Sequence, residues 1–83
     1  MTTHESRSPL DAATLALATA GLGAPAAARW ANRIELACTD EDDQDANAIY
    51  GRVMPAVPRG EVVGPRACAA ILEGCRAWAG FRR

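Results

Sequence analysis

Three thiols, one imidazole and a run of carboxylates are the side chains of this sequence able to do chemistry beyond packing. Cys38, Cys68 and Cys75 make an odd set without a C-x-x-C spacing, so neither a disulfide framework nor a zinc site is expected. Cys68 and Cys75 are seven residues apart. On one helix that separation is about 10.5 Å at ~1.5 Å per residue, beyond the roughly 7 Å reach of a disulfide. Two thiolates on one zinc would also strain it, since each Zn–S bond is only about 2.3 Å. Cys38 could join either of them across a helix interface. Reduced, buried thiols acting as small apolar side chains are the expectation.

The only histidine, His4, falls in a polar N-terminal stretch, so no serine or cysteine has an obvious base beside it. There is no lysine, and hence no phosphate-binding G-x-x-x-x-G-K loop. Catalytic residues, a cofactor and a metal are not expected. The sequence predicts a non-enzyme.

The carboxylates Asp40, Glu41, Asp42, Asp43 and Asp45 occupy five of six consecutive positions. Read as a calcium loop from Asp40, the sixth position is Asp45 instead of glycine and the twelfth is Gly51 instead of glutamate. That reading fails. One or two acids would cap the next helix and oppose the positive end of its dipole. Five of them repel one another, and the excess suggests an exposed acidic surface for an arginine- or lysine-rich protein partner.

A second candidate surface comes from Ala20-Gly-Leu-Gly-Ala-Pro-Ala-Ala-Ala-Arg-Trp-Ala-Asn32. A helix, a glycine-bearing turn and another helix are the parts of a helix-turn-helix DNA reader. Arg29, Asn32 and Arg33 would be its contacts to bases or phosphates. Three features weigh against it. Leu17 stands where a small residue usually allows close approach, residues 24–28 offer no donors, and an acidic cluster follows. Arg59, Arg66, Arg76, Arg82 and Arg83 form a further basic set; Arg82 and Arg83 with Phe81 could touch phosphate or an acidic partner, but a frayed, solubilising C-terminus is the expectation.

The elements that must position these groups are helices. Ser8-Pro9-Leu10-Asp11 combines a capping hydroxyl, a proline suited to the first turn and an acid near the dipole. It predicts a helix over about 10–22, ended by Gly21 or Gly23. The leucines at 10, 15, 17 and 22 share no narrow stripe, which predicts cover on more than one side. Ala27, Trp30, Ala31, Ile34, Ala37 and Cys38 define one face of a helix over about 26–38. Ala46, Ile49, Tyr50 and Val53 do the same over about 43–54, and Pro55 stops it. Residues 55–65 hold three prolines and two glycines, so a loop is expected, anchored by Val62 and Val63 turned inward. The last helix, about 65–79, buries Cys68, Ile71, Leu72, Cys75, Trp78 and Ala79, with Glu73 and Arg76 paired outside. Trp30 and Trp78 are read as packing partners.

Fold class is therefore all-α, one small four-helix domain over 9–83 behind a disordered tail at 1–8. Nineteen alanines inflate the 49% hydrophobic content, leaving 22 larger apolar residues for the core. A chain this short buries only about 60–65% of its unfolded surface, so self-association or a partner would add stability. No stretch is long and apolar enough to span a membrane, and no export pattern opens the chain, so a cytoplasmic location is expected. The net charge of −1 is split: residues 1–45 carry −5 and residues 46–83 carry +4. Such asymmetry can steer a molecule toward a charged partner, without the basic excess of a dedicated nucleic-acid binder. The expected function is a regulatory protein-binding module (an adaptor, an antitoxin-like partner or an inhibitor of a larger host complex), docking through Asp40–Asp45. The alternatives are a DNA-binding regulator and a structural subunit of a homo-oligomer.

Overall fold

The computed structural model describes residues 8–38 and 44–82. Among the described residues there are four α-helices, α1 (Pro9–Thr19), α2 (Ala24–Ala37), α3 (Ala46–Val53) and α4 (Pro65–Arg82), with a 3-10 turn at Met54–Ala56. No strand occurs among the described residues, so the all-α, four-helix expectation holds. Of the expected tail at 1–8, residues 1–7, with His4, lie outside the described residues, while Ser8 is described as the cap of α1; Asp40, Glu41, Asp42, Asp43 and Arg83 also lie outside them.

Each helix end has a local cause. Ser8 caps α1, its Oγ accepting the Asp11 N–H at 3.1 Å, and Pro9 fills the first helical position. At the other end Gly21 takes φ +116, a conformation that disfavours any side chain. That turn lets the Gly21 N–H reach Ala18 O at 3.1 Å and the Leu22 N–H reach Leu17 O at 3.2 Å. This is the paired closure of a Schellman motif, and Leu22 folds onto the core as the motif requires. α1 thus stops at Thr19, a few residues before the expected end.

The core runs between the helices through Ala13 and Leu17 of α1, Trp30, Ala31 and Ile34 of α2, Ile49 and Val53 of α3, and Ile71, Cys75 and Trp78 of α4. Fully burying a large aliphatic side chain contributes about 1.5–3 kcal/mol, and Leu17, Ile34, Ile49 and Ile71 are completely enclosed. The two tryptophans are both core residues, as their positions on helix stripes predicted. Trp78 Nε1 is buried with no hydrogen-bond partner among the described residues.

α4 packs most extensively on α1 and then on α3, while α2 packs chiefly on α1. Gly74 makes the close approach possible. A Cβ there would stand 2.8 Å from Leu17 Cγ and 3.1 Å from Ile34 Cδ1, so α1, α2 and α4 converge on a residue without a side chain.

Two local expectations need correction. α1 is fully buried along one stripe only: Ala13 and Leu17 are buried, but Leu15, at the edge of the α1–α4 seam, is 50% exposed. Of the Val62–Val63 pair, Val62 is 92% exposed and only Val63 packs on the core, since neighbouring residues of an extended segment point to opposite sides.

Candidate functional site

The two surfaces read from the sequence meet very different structural circumstances. Asp45 is the N-cap of α3, its Oδ1 accepting the Asn47 N–H at 3.0 Å. The helix consequently begins at Ala46, not near residue 43, and its side-chain cap is supplied by Asp45.

On α2, Arg29 and Asn32 are exposed, whereas Arg33 is engaged. Its Nη1 and Nη2 donate to Glu61 Oε2 and Oε1 at 2.7 and 2.9 Å, a two-pronged carboxylate contact. The guanidinium carbon also lies 4.5 Å from the centre of the Trp30 ring, in cation–π range. The hydrogen bonds to Glu61 raise the Arg33 pKa against the opposing effect of burial. Hydrogen bonding to Arg33 likewise holds the Glu61 carboxyl below its usual range, burial opposing, with Arg33 and Arg29 adding charge.

The partner was not evident in the sequence because it lies 28 residues away. It is delivered by a turn in which the Glu61 N–H bonds Pro58 O at 3.2 Å and Gly60 takes φ +89. With side chains 26% and 29% exposed, this is a half-buried tie between α2 and the 57–64 segment. The Glu73–Arg76 pair expected on α4 is present at 2.6 Å and well exposed.

Beside the end of α2 a shallow groove of about 280 Å³ is lined by Leu36, Ala37, Val53, Ala56 and Pro58, with Arg33 and Arg52 at its edge. Leu36, in the last turn of α2, is 84% exposed. Sequence periodicity had marked the inward face of α2 and passed over Leu36. Another shallow depression, at the α1–α4 seam, collects Ala12, Leu15, Ala16 and Ala77.

The thiols lie at the junction of α2, α3 and α4. Cys75 is fully buried, and burial, then the nearby Cys38, pushes its pKa up to about 12. Cys68 Sγ sits 3.8 Å from Val63 O. A hydrogen bond with Cys68 raises the Tyr50 hydroxyl pKa, followed by burial and the charges that Cys68 and Cys75 could carry. No group of three or more His, Cys, Asp or Glu suited to a metal ion occurs among the described residues. No helix of the described structure is long and apolar enough to cross a membrane.

Comparison with protein-family models, with curated proteins and with solved structures found no match for this chain.

Proposed function

We propose that the chain is a small protein-binding module, non-enzymatic and regulatory, which docks a basic protein partner through Asp40, Glu41, Asp42, Asp43 and Asp45. The observation that carries this reading is the division of labour at the start of α3. Asp45 provides the side-chain cap, so capping does not account for four further acids in the preceding five positions. Leu36, exposed beside an apolar groove, stands four residues before Asp40 in the chain and offers apolar contact area. A hydrophobic anchor beside a steering charge suits a partner that is both basic and apolar.

The DNA-reading alternative draws less support. Arg33, the central side chain of its contact set, is tied to Glu61 and stacked on Trp30. That leaves Arg29 and Asn32 beside a donor-poor Ala-Pro-Ala-Ala-Ala segment. A homo-oligomeric subunit is favoured by one observation, the half-exposed Leu15 among alanines on α1 and α4. Light scattering over a concentration series tests it: a rising mass supports self-association, and a constant monomer mass opposes it.

Docking and DNA reading separate under paired substitutions. Asp42→Asn with Asp43→Asn abolishes partner capture under the docking reading and leaves any DNA affinity equal or higher. Arg29→Ala does the reverse. Loss of capture with Arg29→Ala and not with the double Asn variant would overturn the docking reading.

A further inference from the structure

The outward face of α2 carries Pro25, Ala28, Arg29, Asn32, Glu35 and Leu36, all exposed. Their three- and four-residue spacing puts them on one side of the helix, opposite buried Ala27, Trp30 and Ile34. Leu36 is 84% exposed at one end of this face. Neither Arg29 nor Glu35 forms a hydrogen bond or ion pair with another described residue. Arg29 acts on Glu61 only through space, because Arg33 already occupies both Glu61 carboxylate oxygens. Glu35 stands in the last turn of α2, where no basic residue accompanies it and the negative end of the helix dipole disfavours it.

We propose that this face pairs with the same face of a second copy, the two α2 helices running antiparallel about a two-fold axis beside Asn32. Positions equidistant from Asn32 then meet across the axis. Arg29, three residues before it, faces Glu35 of the second copy, three residues after it. Ala28, four before, faces Leu36 of the second copy, four after, and the small alanine leaves room for the leucine. The symmetry makes every such contact twice. Two opposite-charge pairs form and both Leu36 side chains leave water. The two Asn32 amides meet at the axis, and each can both donate and accept a hydrogen bond.

Charge complementarity selects the antiparallel arrangement. A parallel pair would set Arg29 beside Arg29 and Glu35 beside Glu35. Only one helix per copy takes part, about 21 Å long at ~1.5 Å per residue. The buried area therefore falls below the roughly 1,200 Å² of stable complexes, and the dimer is weak and reversible. This inference does not depend on the docking reading. The two share Leu36, so a partner anchored on Leu36 has to displace the second copy.

The test is sedimentation equilibrium of the full chain, from about 10 μM to about 1 mM, a range that brackets weak affinities. The mass should rise from monomer toward dimer, and the association should weaken in high salt. Arg29→Glu and Glu35→Arg, each alone, turn both charge pairs repulsive and should weaken the dimer about tenfold. Mixing these two variants in equal amounts restores both attractions and should recover native-strength association. Leu36→Asn should also weaken the dimer, whereas Leu15→Asn, on the α1–α4 seam, should leave it unchanged. All four positions are exposed, so each variant keeps its fold. A monomer at every concentration, a dimer indifferent to both charge reversals, or a mixture that fails to recover association would each overturn the proposal. Loss of the dimer with Leu15→Asn and not with Leu36→Asn would overturn it too.

Discussion

Gly74 and Leu17 meet so closely that a single methyl group on Gly74 would lie 2.8 Å from the Leu17 Cγ. The contact fixes how near α1 can come to α4, and Ile34 of α2 closes the third side. Gly74→Ala gains about 1 kcal/mol of helix propensity. It also forces a branched core side chain to move, and overpacking of this kind costs about 1–3 kcal/mol. Net destabilisation of about 1 kcal/mol is expected in urea unfolding. Leu17→Ala alone should cost about 2–5 kcal/mol, and adding Gly74→Ala to it should stabilise. Additive effects in that double-mutant cycle would contradict the contact.

The Arg33–Glu61 tie carries a pH signature. Glu61 is depressed in the folded chain, so its contribution is present above the unfolded carboxyl pKa and is lost as pH falls through the folded value. Thermal melts of the native chain should lose more stability on acidification across the carboxylate range than those of Glu61→Gln. The difference should shrink in high salt, since the pair is half-exposed. Gly60→Ala should weaken the same tie, because its φ of +89 disfavours a side chain and the turn presents Glu61. Identical acid profiles for the native chain and Glu61→Gln would refute the linkage.

Capping makes a separate forecast. Ser8→Ala removes the hydroxyl that accepts the Asp11 N–H, and Asp45→Ala removes the carboxylate that accepts the Asn47 N–H. Each should cost about 0.5–2 kcal/mol, measured by chemical unfolding. Asp45→Asn should retain most of its cap. If Asp45→Ala were neutral, Asp45 would not be the side chain that starts α3.

Buried Cys75 should resist thiol reagents. With its pKa pushed up to about 12 and its side chain enclosed, it should remain unlabelled at pH 8 in the reduced, folded protein and react on unfolding. Cys38 and Cys68, both partly accessible, should label first. The raised value also lowers stability as pH climbs from the ordinary thiol range toward about 12, because the unfolded chain ionises earlier. Labelling of Cys75 at the same rate as Cys68 would contradict its burial.

The sequence made some of this legible and hid the rest for identifiable reasons. The inward face of α2, from Ala27 through Trp30, Ala31 and Ile34, could be read because a 3.6-residue period is a local property. The same holds for Ile71, Cys75, Trp78 and Ala79 on α4. Gly74 lies on that stripe, between Ile71 and Trp78, yet its importance depends on Leu17 of another helix. Glu61 escaped notice because its value lies in a partner far along the chain. Leu15 and Leu36 are exposed for the same class of reason: hydrophobicity alone does not say which neighbours will arrive. Of the acidic candidates, Asp45 has a visible cap role, while Asp40–Asp43 fall outside the described residues.

Partner docking is tested most directly by capture of the tagged full chain from lysate of the source cell, with and without nuclease, read by mass spectrometry. A stoichiometric protein that survives nuclease, weakens with salt and is lost with Asp42→Asn and Asp43→Asn is the predicted result. Recovery only through nucleic acid, or the same protein held equally by the neutralised variant, would contradict docking through the acidic segment.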